Sequence, residues 1–171
     1  MTNHVFNRCR IEGPPEAVDA FERIALTEPA AKPGALARLF GASVRHTQAP
    51  RTLDAERVLP TPAGLYGEAA AAWRTEHWGI RDAPEPHGYE RQGSGRAELT
   101  FYTPWSAPTA LFGHLAGRLP DTLAITAEYV EAGNEYAGRI RISAGRCTEE
   151  ELPFTRDLYE RVTGETLDED R

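Results

Sequence analysis

Lysine is almost missing from this chain: Lys32 is its single lysine, and the other 18 basic residues are arginine. Arginine gives better bidentate contacts to phosphate and carboxylate than lysine. Here, though, Arg, Ala, Gly and Pro are abundant together, as a GC-rich coding sequence produces, so the bias alone identifies no anionic ligand. Cysteine is nearly as scarce. Cys9 and Cys147 stand far apart and fit neither CxxC nor a zinc-ligand spacing, which argues against an obligatory disulfide or a structural metal. Cys9 is expected as a small buried residue on a strand. No apolar run approaches the roughly 18 residues that span a bilayer. The segment Met1 to Arg8 lacks signal-peptide architecture, so the expected setting is the cytoplasm, with no membrane partner.

Signatures of chemistry are missing as well. His4, His46, His77, His87 and His114 show no HxH or HExxH spacing, and no Gly-x-Ser-x-Gly elbow accompanies them. Gly93-Ser94-Gly95 lacks the lysine and the following helix of a phosphate loop and reads as a turn. No catalytic residue, metal ligand or cofactor is therefore assigned.

What is present is one domain's worth of chain. The 171 residues, 40% hydrophobic and 26% charged, can bury one ordinary core. The net charge of -7 is unevenly spread: Thr148 to Arg171 holds nine acids against three arginines, leaving the rest almost neutral. An anionic partner of the body is thus not excluded by the acidic total.

Val5 to Ile11 alternates with period 2, as a strand does. Gly13-Pro14-Pro15 ends it and suits the first turn of a helix with Val18, Phe21, Ile24 and Ala25 at helical spacing. From about 27 to 57 the pattern weakens and predicts an irregular insertion, with one short amphipathic turn at Leu36, Leu39 and Phe40. The prolines of Val58 to Pro62 predict an extended segment, and Leu65 to His77 an Ala-rich helix ending near Gly79. Glu98 to Thr103 alternates again, a helix from about Ala107 to Leu119 carries Leu111, Phe112 and Leu115, and strands Leu123 to Glu131 and Tyr136 to Ser143 join at Ala132-Gly133-Asn134. A last helix is expected from Thr148 to Val162, with Phe154, Leu158 and Val162 on one face, and disorder beyond Gly164. The domain reading is therefore 1-147 as one unit and 148-171 as an acidic helix and tail. The class is α+β: a ferredoxin-like antiparallel sheet with helices on one face and an extra hairpin strand.

Several short segments sharpen this. Asn7-Arg8-Cys9-Arg10-Ile11-Glu12-Gly13, Pro60-Thr61-Pro62, Trp78-Gly79, Thr103-Pro104-Trp105-Ser106-Ala107-Pro108 and Glu131 to Gly138 follow one another in an order and spacing that resembles the YubB-type ferredoxin-like family of plasmids and phages. The chain has His4-Val5 where that family often opens with Trp-Cys, and Arg81-Asp82 where it often carries a second tryptophan. The resemblance implies a fold and a mobile-element setting, not a reaction.

Two surfaces are candidates for function. Strand alternation turns Phe6, Arg8, Arg10, Tyr102, Arg139 and Arg141 to the sheet face away from the first two helices, a set able to stack bases and contact phosphates. The competing and favoured reading docks the C-terminal helix there, with Phe154 and Leu158 on Phe6 and Tyr102, and Glu149, Glu150, Glu151 and Asp157 answering the arginines. The second surface gathers Trp78, Arg81, Asp82, Trp105 and Ser106, as a binding hot spot for a protein or a small-molecule pocket, against the stronger reading that Trp73, Trp78 and Trp105 fill the core. His77 beside Asp82 is the one place where an enzyme site would be sought. Glu128, Glu131 and Glu135 read as solubilising residues of an edge hairpin. The leading expectation is a non-catalytic module that binds a host or phage protein; a nucleic-acid-binding sheet is second and a small enzyme third. The oligomeric state is left open.

Overall fold

The computed structural model describes residues 3-28 and 50-167. The expected turn at Leu36, Leu39 and Phe40 lies outside the described residues, as do the last four of the tail. In chain order the elements are β1 (His4–Glu12), α1 (Pro15–Ala25), α2 (Ala55–Val58), α3 (Gly67–Trp78), β2 (Glu85–Arg91), β3 (Arg96–Pro104), α4 (Thr109–Ala116), β4 (Ala124–Glu131), β5 (Tyr136–Ser143), β6 (Arg146–Glu151) and α5 (Arg156–Thr163).

The strands form one antiparallel sheet in the order β2-β3-β1-β4-β5-β6. The first four make the ferredoxin-like arrangement: β1 leads through α1 to an edge strand two places away, and β3 leads through α4 to β4 on the far side of β1. β5 and β6 extend the sheet as a meander.

Alternation fixes the faces. Val5, Cys9 and Ile11 of β1 lie beside Leu99 and Ala97 of β3 and Ala127 and Ile125 of β4, and those beside Ile140 and Ile142 of β5, all buried. Against this face pack Val18, Phe21 and Ala25 of α1, Ala55 and Val58 of α2, Leu111, Phe112 and Leu115 of α4, and Trp78 at the end of α3. Each large side chain removed from water there contributes roughly 1.5-3 kcal/mol. Pro15 at the first turn starts α1, where its missing N–H costs nothing, and Gly79 stops α3 in the left-handed conformation at φ 80°.

Three expectations need correction. The segment expected to be extended from Val58 begins in a helix: Val58 ends the one-turn helix α2, capped by Asp54, whose carboxylate accepts from Arg57 N–H, and the second strand of the ferredoxin-like unit is Glu85–Arg91, a stretch the sequence did not single out. The boundary at 147 falls inside β6, so Thr148 to Glu151 belong to the sheet and the terminal helix starts only at Arg156. The described end of the expected insertion, residues 50-57, is not irregular: Leu53 pairs with Leu26, and Arg51 donates to the Thr27 carbonyl, so this stretch lies against α1.

Candidate functional site

Pro104, Trp105 and Ser106 leave β3 through a three-residue turn. The Ser106 N–H donates to the Pro104 carbonyl at 2.8 Å across Trp105, which sits at φ 66°. Such a turn is rare and strained for a residue with a Cβ. Its surroundings hold it in place. Trp105 N–H donates to the Asn3 carbonyl at 2.8 Å, the Thr103 hydroxyl to the Ser106 carbonyl at 2.7 Å, and the Ser106 hydroxyl to the Gly79 carbonyl. Behind them Asn7, buried on the core face, donates to Thr103 Oγ1 at 2.9 Å and to the Val5 carbonyl at 3.0 Å. A polar chain thus runs from the first strand to the end of α3 and fixes the backbone that carries Trp105.

The three tryptophans part company here. Trp78 has no exposed surface and donates its indole N–H to the Leu59 carbonyl, so it is core, as the packing reading expected. Trp73 is half-buried, stacked on His77 at 4.3 Å between ring centroids. Trp105 is 58% exposed, which overturns its expected role as core. Of the proposed cluster, Ser106 is drawn into the turn, while Arg81 and Asp82 lie on the surface, Arg81 paired with Glu68. The cluster is therefore not one pocket. His77 bonds the Trp73 carbonyl and meets Glu76 on its own helix, and the structure does not bring it to Asp82.

The arginine face is built as strand alternation requires, with Phe6, Arg8 and Arg10 opposite Tyr102, Thr100 and Glu98 on β3, and Arg139 and Arg141 two strands away. It is not open. Leu158 and Val162 of α5 are buried against Phe6, Val130 and Ala137, with Tyr102, Phe154 and Tyr159 around them, which is the docking that the amphipathic pattern favoured.

The charges are matched, by Glu150 as expected and by two acids that were not expected there, Glu98 and Glu128. Glu98 takes Arg8 at 3.2 Å, and Glu150 takes Arg139 at 2.8 Å and Arg141 at 3.3 Å. Glu128, with its side chain almost wholly covered, accepts from Arg139 at 2.8 Å and Arg161 at 3.0 Å and has Arg10 at 3.8 Å. Burial alone would push the Glu128 carboxyl up; the hydrogen bonds and charges of Arg139 and Arg161 outweigh it and hold it below the ordinary carboxylate range. Glu128 and Glu131 are thus not solubilising edge residues. Glu131 is buried too, and its carboxylate accepts from the Gly133 and Asn134 N–H groups, closing the β4–β5 turn. Glu149 points to the other sheet face, accepts from Thr109 and Tyr129, and answers no arginine among the described residues.

Cys9 is fully enclosed on the helix side, and burial followed by the nearby Glu98 charge pushes its thiol far up, so it stays a neutral packing group. Sequence reasoning missed the turn conformation of Trp105 and the orientation of Glu149. Neither has a local signal: the first depends on Asn3 and Gly79, the second on pairing with β5.

No protein-family model matches this chain, and no curated protein matches it. Among solved structures it is similar to the protein api92 from Yersinia pseudotuberculosis, of family model DUF1281. The TM-score is 0.61 at 12% identity over 89% of this chain and 98% of the other. At that identity the likeness concerns the fold alone.

Proposed function

We propose that this protein is a non-catalytic interaction module that binds a protein partner through the Trp105 turn, in keeping with the phage and plasmid setting that the family resemblance implies. One observation carries the reading: a tryptophan 58% exposed at the centre of a strained turn whose backbone is pinned on three sides. Strain of this kind costs on the order of 1-3 kcal/mol and persists where the surroundings over-determine it, most often at binding and active sites. An exposed tryptophan on a rigid support loses little entropy on binding, which makes it a good central anchor of an interface. Nucleic acid on the arginine face is the weaker reading, because it requires α5 to leave and the arginines to exchange Glu98, Glu128 and Glu150 for phosphate.

The test is affinity capture from host lysate with wild type and Trp105→Ala side by side. A protein retained stoichiometrically by wild type and lost by the variant, with unchanged circular dichroism, supports the reading. A partner retained equally by both removes Trp105 from it.

A further inference from the structure

The two faces of β6 treat their glutamates differently. Glu150 meets Arg139 and Arg141 on one face. On the other, Glu149 and Glu151 have no cationic partner among the described residues. Both residues line a depression of about 290 Å³ together with the buried Tyr129 and the half-buried Tyr136. The rings stand 5.1 Å apart between centroids and are tilted by 36°.

The walls are built. Tyr129 crosses β5 over Gly138, where any Cβ would collide with its phenol, and donates to Glu149 Oε1 at 2.8 Å. Thr109, at the start of α4, donates to the same oxygen at 2.7 Å. Glu149 is thereby held in place as an acceptor, and Glu151 is left unpaired beside the half-buried Tyr136 ring. The Tyr136 ring face, backed by the buried Tyr129, and two carboxylates without a counter-charge among the described residues match a flat or compact organic cation.

The position is also suited to a chain. β6 is the outer strand of the sheet, pairing with β5 alone, so its outer backbone edge has no strand beside it among the described residues. Thr109 links the depression to the helix that follows the Trp105 turn. The Asn3 carbonyl holds Trp105 N–H, while the Asn3 side chain lies over Gly133 in the hairpin that Tyr136 closes. Trp105 and the depression therefore share one end of the sheet.

We infer that the Tyr129, Tyr136, Glu149 and Glu151 depression receives the guanidinium or ammonium group of an extended basic segment lying along β6. The inference rests on the protein-binding reading above and gives that partner its chemistry: a strand-forming stretch with alternating basic residues.

The probe is an acetylated pentapeptide alternating arginine and threonine, titrated into the full chain and followed by amide NMR shifts, with a glutamine-for-arginine peptide as control. The arginine peptide is expected to shift Tyr136, Glu149 and Glu151 saturably, and the glutamine peptide is not. Glu151→Gln, at an exposed position whose carboxylate makes no hydrogen bond or ion pair among the described residues, weakens binding about fivefold, and Tyr136→Ala does the same. Equal shifts from both peptides, no shift at these amides, or unchanged affinity in Glu151→Gln overturns the inference. So does a concentration-dependent shift of the same amides without peptide, which would place a second copy there. Trp105→Ala leaves the depression intact and binds the peptide as wild type does. A failed capture experiment with intact peptide binding therefore overturns the Trp105 reading alone, and the converse result overturns this inference alone.

Discussion

The guanidinium of Arg8 donates through Nε to the carbonyl of Val162 at 2.7 Å, joining the first strand to the last turn of the last helix. That carbonyl is one of those a helix leaves unsatisfied at its C-terminus, where a cation is also favoured by the helix dipole. With Leu158 and Val162 buried and Arg161 on Glu128, it fastens α5 over the arginine face.

Loosening α5 is expected to be a local event. Leu158→Ala removes about 2 kcal/mol of packing and Arg8→Ala about 1.5 kcal/mol of hydrogen bonding to a charged group. Because α5 is short and packs on the sheet through one small cluster, amides of Arg156–Thr163 should lose hydrogen-exchange protection in either variant while those of β1 keep it. Loss of protection throughout the sheet would show instead that α5 folds with the core. In Leu158→Ala the uncovered face gains no salt-sensitive affinity for single-stranded nucleic acid, since Glu98, Glu128 and Glu150 still occupy its arginines.

Much of this was legible beforehand, and the reason is period. β1, β3, β4 and β5 alternate strongly because each separates a buried helix-facing side from a second, more polar side, and that alternation located Phe6, Arg8, Arg10, Tyr102, Arg139 and Arg141 on one face. The helical face of α1 and the stop at Gly79 were equally plain. β2 was hidden because it is an edge strand with Pro86 and Gly88 at an irregularity in its pairing, so little of it is buried. β6 was hidden because Thr-Glu-Glu-Glu reads as the start of a helix. Only Arg139 and Arg141 on one side and Tyr129 on the other, all distant in sequence, make those glutamates favourable in a strand.

Glu128 sets an acid limit on the same docking. Its folded pKa is depressed, so its contribution is complete above the unfolded carboxylate value near 4.3 and is lost as the pH falls through the folded value below it. Release of α5, read from Tyr159 or Val162 resonances, is expected below about pH 4. Glu128→Gln should weaken the docking at neutral pH by about 2 kcal/mol, because Arg10 and Arg161 lose their acceptor charge and Arg139 keeps only Glu150, and flatten this acid limb. An unchanged acid limb in the variant would assign the transition to other carboxylates.

Trp105 should be a residue the fold is better off without. Replacing it by glycine removes the Cβ that makes φ 66° unfavourable, and the largely exposed side chain supports little packing. Trp105→Gly is therefore expected to be more stable than Trp105→Ala by about 1 kcal/mol, in urea denaturation. A glycine variant less stable than the alanine one would mean the turn is not strained there.

The binding surface is tested most directly by hydrogen-deuterium exchange of the full chain with and without the protein that wild type captures. Protection on binding is expected at the Trp105 turn, residues 103-109, with the hairpin at 133-136 and β6 at 149-151 beside it. Protection confined to β1, β5 and α5, with the Trp105 turn exchanging as in the free protein, would contradict the assignment and move the interface to the arginine face.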